Sequence, residues 1–515
     1  MHQALALPNI QHKTFLCARY EMGFGRRCFR MLFSGAVAIC ILCLIQFAPA
    51  QNIKQLFSFP CPTHQFGSCG EGYSPNALIQ ASDGNFYGAA QYTTEGFSVS
   101  HGGTLFKITP AGQFTLLFTF GQDSNGNYTN GDNPASGLLE ANDGFIYGTT
   151  FEGGASNEGV LFRISKNGSG FSVLHNFCSS ANCADGSAPV SLILGHDGNL
   201  YGATFFGGSS DANCFPIGGC GTIFRFKPAS RTLTTLFALD GSSNIGAQPF
   251  GLTQAANGDF FGVDGPDVFK LTAAGEFTVI ESFPRVDGFL PTSANSALMQ
   301  AANGKLYGSL TTYSLNQVQF YEVDTNGNGF QEFASIGTLS EDFEIGSIVQ
   351  ASDGNLWTAF NETSNGNGIV MAFSPVDGSI VHNFSFGGSN GSVPEAGVIQ
   401  GADGKIYGTT VGGGTVAKGQ APSGTVWNLD AGLAPPAATI ATFSPGIGGV
   451  GSTVTIRGHH FIGTTSVSFN GVSARFKVLN TEFISTVVPN GATSGPITVT
   501  NAGGTTTTTK SFTVQ

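Results

Sequence analysis

Short segments in which apolar and polar residues alternate follow one another along most of the chain, separated by turn residues. In one of them, Phe114, Leu116, Phe118 and Phe120 occupy every second position. A period of two residues places such side chains on one face of a β-strand. Because this pattern recurs from Ile53 onward, we predict an all-β protein.

One phrase recurs seven times within this pattern. It consists of a short apolar segment, then Asp-Gly or Asn-Gly, then an apolar and an aromatic residue. The glycines of the phrase are Gly84, Gly144, Gly198, Gly258, Gly304, Gly354 and Gly404. Repetition at about 50 residues is typical of arrays whose neighbouring units bury apolar faces against one another. Asp-Gly and Asn-Gly between apolar segments predict tight hairpin turns.

The first complete repeat predicts four antiparallel strands, at 77–81, 86–89, 104–108 and 114–120. Four such strands per unit are typical of a propeller blade. The first three strands of the unit occur seven times, but the fourth follows them only six times. Residues 53–59 match the missing fourth strand. We therefore predict a seven-bladed β-propeller that the amino-terminal strand closes, with an open solenoid as the alternative.

Antiparallel strand order sorts the loops of such blades onto two faces. The Asp-Gly and Asn-Gly turns lie on one, the turn face. The loops between second and third strands and the connectors between blades lie on the other, the variable face. Loops 91–102 and 205–220 and the connector 121–135 give that face its variation in length. Binding residues often lie on variable loops held by a rigid scaffold, so we expect recognition on the variable face.

The repeat phrase does not return after residue 433. Residues 434–438 predict a linker, and residues 439–515 contain about seven further short alternating segments. Segments of this length and spacing predict a small β-sandwich of Ig-like size. Residues 51–433 would then form the propeller.

Residues 1–50 have the pattern of a secretory signal. Arg26, Arg27 and Arg30 precede an apolar segment, residues 32–47, and Ala48-Pro49-Ala50 resembles a cleavage site. Export through a twin-arginine route and retention as a membrane anchor are the alternatives. The pattern predicts cleavage after Ala50, a secreted or cell-envelope location and no membrane insertion afterwards.

The remaining chain is acidic. Residues 1–50 hold five basic and one acidic side chain, which leaves 16 basic against 32 acidic and a net charge of −16. These charges are scattered rather than gathered in a tail. Such a surface argues against nucleic acid and anionic lipid as partners.

Six cysteines lie beyond residue 50 and fall into close pairs. They are Cys61 and Cys69, Cys178 and Cys183, and Cys214 and Cys220. Six cysteines allow fifteen connectivities, of which pairing between neighbours is the simplest. No histidine pairs with metal-ligand spacing accompany them, so disulfides in an exported protein are the prediction.

The repeat also places a polar residue four positions before most of its glycines. These residues are Gln80, Glu140, Gln254, Gln300, Gln350 and Gln400, with Leu194 breaking the series. They would line the innermost strands. One hypothesis is a polar ring that holds an ion or ligand, and the other is that the amides satisfy neighbouring backbone groups.

Two loops and a few histidines are further candidates. Residues 324–329 match the start of a calcium loop but have Ser335 where a bidentate glutamate is expected, which favours a turn. Residues 123–127 are similar, and calcium remains possible there although no cofactor is predicted. His64 and His101 lie on the variable face without an identifiable catalytic partner. His175 and His382 fall in outer strands, and His196 falls in a turn.

Two resemblances follow from these residues. The segment TFSPGIGGVGSTVTIRGHHF together with GPITVTNAGG resembles IPT/TIG domains, Ig-like domains of surface and extracellular proteins. The phrase Asp-Gly-x-apolar-Tyr-Gly, followed by Gly-Thr-apolar-Phe-basic-apolar, resembles the GloVer tandem repeat of bacterial exported, choice-of-anchor proteins. This second resemblance implies export and a repeat fold, and it implies no particular activity.

We therefore expect an exported repeat protein that acts in extracellular or cell-surface binding or adhesion, as a monomer. The expected partner is an extracellular glycan or protein. Non-enzymatic action is favoured. An exported propeller enzyme, a lyase or hydrolase acting on a polysaccharide or small cyclic substrate, is the alternative, and an envelope spacer is another. The segment SDGNLWTAF, which contains Trp357, resembles segments in the blades of streptogramin-lyase-like propellers, an architecture that enzymes share.

Overall fold

A computed structural model describes the chain from Ile53 to Gln515, with gaps. The described ranges are 53–62, 68–94, 102–134, 136–208, 214, 218–241, 247–264, 267–283, 297–312, 317–337, 345–361 and 366–515. The predicted signal, residues 1–50, lies outside them. Within these ranges the single helical element is a 3-10 turn, Ala181–Cys183, and no helix is long and apolar enough to cross a membrane.

The first 29 strands build seven sheets. In chain order they are β1 (Ile53–Pro62), β2 (Ser68–Pro75), β3 (Ile79–Gln80), β4 (Phe86–Thr94), β5 (Gly103–Ile108), β6 (Phe114–Phe120), β7 (Leu139–Glu140), β8 (Ile146–Thr150), β9 (Val160–Ile164), β10 (Ser172–Asn176), β11 (Ser187–Leu194), β12 (Leu200–Phe206), β13 (Thr222–Lys227), β14 (Thr232–Ala238), β15 (Pro249–Gln254), β16 (Phe260–Asp264), β17 (Asp267–Leu271), β18 (Phe277–Ser282), β19 (Met299–Gln300), β20 (Leu306–Thr312), β21 (Gln317–Val323), β22 (Gln331–Gly337), β23 (Val349–Gln350), β24 (Leu356–Phe360), β25 (Ile369–Phe373), β26 (Ile380–Ser385), β27 (Ile399–Gln400), β28 (Ile406–Thr410) and β29 (Gln420–Leu429).

Each sheet is one antiparallel blade, and the strand order confirms the predicted propeller. Blades 2 to 6 take their four strands consecutively from β7 to β26. Blade 1 contains β3 to β6 together with β2, a strand that the sequence did not predict and that also pairs with β4. Blade 7 contains β27, β28 and β29, and its outermost strand is β1. Because Ile53 pairs with Leu429, the amino-terminal strand closes the ring as predicted.

Apolar packing between blades forms the core of the ring. Within the described residues, seven buried clusters lie one at each interface between neighbouring blades. The cluster between blades 7 and 1 includes Phe59 of β1, which is fully buried against Phe106. Burial of a phenylalanine side chain stabilises a fold by about 1.5–3 kcal/mol, so β1 contributes to the closing interface as well as to its own blade.

The repeated phrase forms the hairpin turn of each blade on the turn face. In blade 1, Gly84 has φ +78, a backbone conformation that favours glycine. The Asp83 carboxylate accepts a backbone bond from Asn85 and accepts the Tyr87 hydroxyl at 2.8 Å. The same tyrosine–aspartate bond recurs in blades 2, 3 and 7. The Asp and the aromatic residue of the phrase therefore belong to one local structure.

The carboxy-terminal residues form a two-sheet sandwich. Its strands are β30 (Thr439–Ser444), β31 (Ile447–Gly448), β32 (Thr453–His459), β33 (Ser466–Phe469), β34 (Val472–Ser473), β35 (Phe476–Val478), β36 (Phe483–Val487), β37 (Gly495–Asn501) and β38 (Gly504–Val514). The sheets have the orders β30-β32-β36-β35 and β31-β38-β37-β33-β34. Two short strands, β31 and β34, were not predicted. One buried apolar cluster lies between the two sheets.

The three cysteine pairs are joined as neighbours in the structure. Cys61 of β1 is bonded to Cys69 of β2, Cys178 to Cys183 in the connector between blades 2 and 3, and Cys214 to Cys220 in the loop after β12. All three bonds are on the variable face. Disulfides persist in oxidising compartments, which indicates an extracytoplasmic location.

Candidate functional site: the channel beneath the sandwich

Polar side chains at the end of the innermost strands join neighbouring blades on the turn face. In blade 5, Gln300 donates from Nε2 to the Gly304 carbonyl of its own turn at 2.8 Å. Its Oε1 accepts the backbone N–H of Ala256, in the turn of blade 4, at 2.7 Å. We call this pair of bonds a clamp. It satisfies backbone groups at the narrow centre of the ring, as the second hypothesis for these amides required.

The clamp recurs at six of the seven blade interfaces. The glutamine clamps join Gln80 to Ala402, Gln254 to His196, Gln300 to Ala256, Gln350 to Ala302 and Gln400 to Ser352. Between blades 1 and 2, Glu140 takes the place of the glutamine and accepts the Ser82 backbone N–H at 2.6 Å. Lys166 neutralises this carboxylate, with 2.6 Å between Nζ and Oε1. The predicted polar ring therefore binds blade to blade.

The interface between blades 2 and 3 has no clamp. Leu194 occupies the glutamine position and packs against the apolar cluster of this interface, so it offers no acceptor to the Asn142 backbone N–H. The Asn142 side chain is instead bonded to the sandwich, since Asn480 donates from Nδ2 to its Oδ1 at 2.9 Å. Asn480 is buried and also accepts the backbone N–H groups of Glu482 and Phe483. The sandwich thus contacts the ring at the interface between blades 2 and 3, where the ring has no clamp among the described residues.

The linker attaches the other side of the sandwich to the turn face. The Ala434 carbonyl accepts the Ser352 hydroxyl at 2.6 Å and the Gln400 amide at 3.1 Å. Further along, Asn501 of β37 donates to the carbonyls of Pro436 and His460, which fixes the linker to the sandwich. Contacts on blade 2 and on blades 6 and 7 place the sandwich over the central channel.

A cavity of about 890 Å³ lies between the channel and the sandwich. We call it the chamber. Its propeller wall combines the polar side chains of the clamps, together with His196, Thr253 and Ser347, with a set of aliphatic side chains. The aliphatic set comprises Leu78, Ile79, Leu139, Leu192, Ile193, Leu194, Leu298, Met299, Ile348, Val349 and Ile399. Its opposite wall belongs to the sandwich and carries Arg457, His459, His460, Asn480 and Glu482. No phenylalanine, tyrosine or tryptophan lines it within the described part of the chain.

Titratable groups of the chamber are shifted by their surroundings. Burial raises the pKa of Glu482 to about 7, and the Arg457 charge opposes this shift. Burial, together with the charges of Arg457 and His459, lowers the pKa of His196 to about 4. Burial and the nearby His460 and Arg457 likewise lower the pKa of His459 to about 4. At neutral pH, the imidazoles are uncharged and Glu482 is near its midpoint, so Arg457 is the permanent charge on this wall.

Two side chains of the sandwich wall have no protein partner among the described residues. Among the described residues, neither the Arg457 guanidinium nor the Glu482 carboxyl has a hydrogen bond or ion pair within the protein. Polar groups removed from bulk water are destabilising unless they are hydrogen-bonded, at about 1–3 kcal/mol each. Here they face a space large enough for water or a small molecule to bond them.

Other residues singled out in the sequence have local structural roles. His175 bonds Asp185 at 2.9 Å, and Asp185 also accepts Ser179 and Ser180, which orders the connector held by the Cys178–Cys183 bond. The His382 ring stacks on Trp357 in the outer part of blade 6. His196 was assigned only to a turn, but its side chain reaches the chamber.

The calcium candidates form ordinary turns. Asp324 accepts the Gly327 N–H through its carbonyl, and Asn326 bonds the Asn328 N–H. In the other loop, the Asp123 carboxylate accepts the N–H groups of Asn125 and Asn127. Within the described ranges, no group of three His, Cys, Asp or Glu side chains could hold a metal ion.

His64 and His101 lie outside the described residues, as do 95–100, 209–213 and 215–217 of the variable-face loops. Recognition on that face stays a prediction. The chamber residues of the sandwich were missed because the sequence gives no hint that this module covers the channel. The adjacent pair His459 and His460, in a chain with nine histidines, was the one visible signal.

Comparison with solved structures finds matches at low identity. A virginiamycin B lyase from Staphylococcus aureus, in an inactive variant with quinupristin, matches with 13% identity and a TM-score of 0.45 over 70% of this chain and 96% of its own. A fungal alcohol oxidase of the AA5 family, in complex with copper, matches with 14% identity and a TM-score of 0.49 over 90% and 99%. The periplasmic gluconolactonase of Pseudomonas aeruginosa matches with 15% identity and a TM-score of 0.44 over 67% and 96%. Identities this low do not transfer chemistry.

Family comparison confirms both resemblances seen in the sequence. No curated protein matches the chain. Residues 74–317 match the Gloeobacter/Verrucomicrobia repeat, and residues 438–514 match the IPT/TIG domain. The chain therefore contains a Gloeobacter/Verrucomicrobia repeat region, which lies within the propeller, and an IPT/TIG domain that follows it.

Proposed function

We propose that this is an exported binding protein that holds a small, partly apolar molecule in the chamber between the propeller and the IPT/TIG domain. One observation carries the proposal: aliphatic side chains of the ring share a cavity with Arg457 and Glu482, whose side chains have no hydrogen-bonding partner among the described residues. Small-molecule sites commonly have volumes of 300–1,000 Å³, mostly apolar walls and a few polar groups that orient the ligand. The chamber has such a volume and a set of aliphatic side chains, and most of its many polar groups on the propeller side are already bonded in clamps.

This proposal adds a site to the expectation of extracellular binding or adhesion. Glycan or protein recognition on the variable face would use a different part of the molecule. The disulfides and the acidic surface are compatible with action outside the cytoplasm, either secreted or in the cell envelope.

The test is ligand screening by thermal shift, using the full-length protein and two tryptophan variants. Ala441→Trp places an indole in the chamber, because Ala441 lines it. Thr509→Trp is the matched control on an exposed edge of the sandwich. We expect small molecules that raise the Tm of the wild type and of Thr509→Trp but not of Ala441→Trp. Ligands that bind all three proteins equally would place recognition elsewhere and refute the chamber.

An enzyme in the same chamber is the second candidate, because Glu482 has a pKa of about 7. A carboxyl group that titrates near the operating pH can both take up and release a proton. Glu482→Gln separates the two functions. A binding protein would keep its ligand unchanged in either form, whereas an enzyme would convert the ligand in the wild type and return it intact from the variant.

A further inference from the structure

The two walls of the chamber differ in chemistry, because within the described part of the chain charged side chains without protein bonds lie only on the side of the IPT/TIG domain. The eleven large aliphatic side chains come from the propeller, which also contributes His196 and the polar side chains of the clamps, whereas Arg457, His459, His460 and Glu482 come from the IPT/TIG domain. The glutamine side chains at the ring centre are already used in clamps. The side chains left to bond a ligand, Arg457 and Glu482, therefore lie at the IPT/TIG end, and the aliphatic side chains lie along the channel.

We propose, building on the function above, that the chamber takes an aliphatic carboxylate, with its carboxylate on Arg457 and its chain among Ile79, Leu139, Met299, Val349 and Ile399. A guanidinium binds a carboxylate through charge-assisted hydrogen bonds and is suited to two parallel bonds. The aliphatic chain would leave water on entering the channel, which supplies affinity in proportion to its length.

Two other ligand classes fit the chamber less well. Sugars are commonly held by stacking on phenylalanine, tyrosine or tryptophan rings, and none of these lines the described part of the chamber. An organic cation would be repelled by Arg457, and the one carboxylate free to attract it, Glu482, is partly protonated at neutral pH because its burial disfavours the charge. Glu140 is already neutralised by Lys166. A carboxylate can instead accept a hydrogen bond from the protonated form of Glu482.

Calorimetric titration of the full-length protein with decanoate, decanol and hexanoate tests the assignment of the head group and the chain separately. Arg457→Met removes the charge and keeps much of the side-chain volume. Arg475→Met is the matched control, since Arg475 is exposed and does not line the chamber. We expect decanoate to bind at least tenfold more tightly than decanol or hexanoate.

The variant results decide the orientation. Arg457→Met should weaken decanoate at least tenfold and leave decanol within twofold, while Arg475→Met changes neither. Equal loss of decanoate and decanol affinity in Arg457→Met would overturn the proposed carboxylate contact. If decanoate fails to bind while another compound is excluded by Ala441→Trp, the ligand class is wrong but the binding function stands. If Ala441→Trp excludes no compound, the proposed function itself fails.

Discussion

Six interfaces of the ring are clamped, whereas the interface between blades 2 and 3 is not. Both kinds bury an apolar cluster, so packing does not distinguish them. The difference is one side chain: Gln300 joins blade 5 to the turn of blade 4, whereas Leu194 bonds nothing in the turn of blade 2. Asn142, in that turn, bonds Asn480 of the IPT/TIG domain. The comparison teaches that a repeat unit without its usual interface residue can mark the place where a neighbouring domain docks.

The largest expected effect comes from the clamp that carries a charge. Lys166→Met would leave the Glu140 carboxylate, 2% exposed, without its cation. Removing one partner of a buried pair costs about 3 kcal/mol. We expect a lower urea midpoint, followed by the fluorescence of Trp357 and Trp427, which are both buried in the propeller.

The double variant Lys166→Met/Glu140→Gln is the control for this prediction. It converts the charged clamp into a sixth glutamine clamp and should recover most of the lost stability. If the double variant is as unstable as the single one, the loss comes from Lys166 packing, and the charge does not matter.

The stability of the IPT/TIG domain, which docks at the unclamped interface, should depend on pH through Glu482. Its pKa of about 7 in the fold lies above its ordinary value of 4.5, so its stabilising contribution is complete below about pH 4.5 and is lost as the pH rises to about 7. The loss is about 2–3 kcal/mol. His196, His459 and His460 face the same space, and their lowered pKa values act in the opposite sense at acid pH.

Comparison with Glu482→Gln isolates this carboxyl from the histidines. The difference in unfolding free energy between wild type and variant, measured by urea denaturation and circular dichroism, should fall between pH 4.5 and 7 and stay constant above pH 8. A constant difference across the whole range would contradict the assigned burial of Glu482.

Exchanging the two residue types tests the clamp itself. Gln300→Leu copies the unclamped interface and leaves the Ala256 N–H without its acceptor. Because Ala256 is exposed and water can replace that acceptor, the cost is about 1 kcal/mol. Gln331→Leu, on an exposed outer strand, should change stability by less than about 0.5 kcal/mol. The reciprocal change, Leu194→Gln, should add up to about 1 kcal/mol if it captures the Asn142 N–H. A destabilised Leu194→Gln would mean that the apolar contact is worth more than the clamp.

The smallest effect is expected at the contact between the domains. Asn142→Ala removes the acceptor of Asn480, and alanine already occupies this turn position in blades 4, 5 and 7. We expect the propeller to keep its stability within about 0.5 kcal/mol. Hydrogen exchange at residues 478–486 should accelerate severalfold, because the domain is held less firmly. Unchanged exchange there would show that the linker alone positions the domain.

The sequence predicts the fold better than it predicts the site, and the reason is the range of the contacts. Asp83 and Tyr87 are four positions apart and make one turn, so their pattern is local and repeats. The count of fourth strands was enough to predict that β1 closes blade 7. Asn142 and Asn480 are 338 positions apart and belong to no repeat, so their contact leaves no pattern to find. The substitution of Leu194 for the repeated glutamine was visible in the sequence, but its relation to the docked domain is seen only in the structure.

The closing strand also sets an order of assembly. Gln55 of β1 bonds Thr415, 360 positions later, so the first of the described strands cannot pair until blade 7, the last blade, has been synthesised. Until then, Phe57 and Phe59 cannot pack into the apolar cluster between blades 7 and 1, and blade 7 lacks its outer strand. Contacts this distant in sequence form slowly. The ring is therefore complete only when synthesis of the propeller is over. In a chain that ends before β29, β1 would have no strand to pair with.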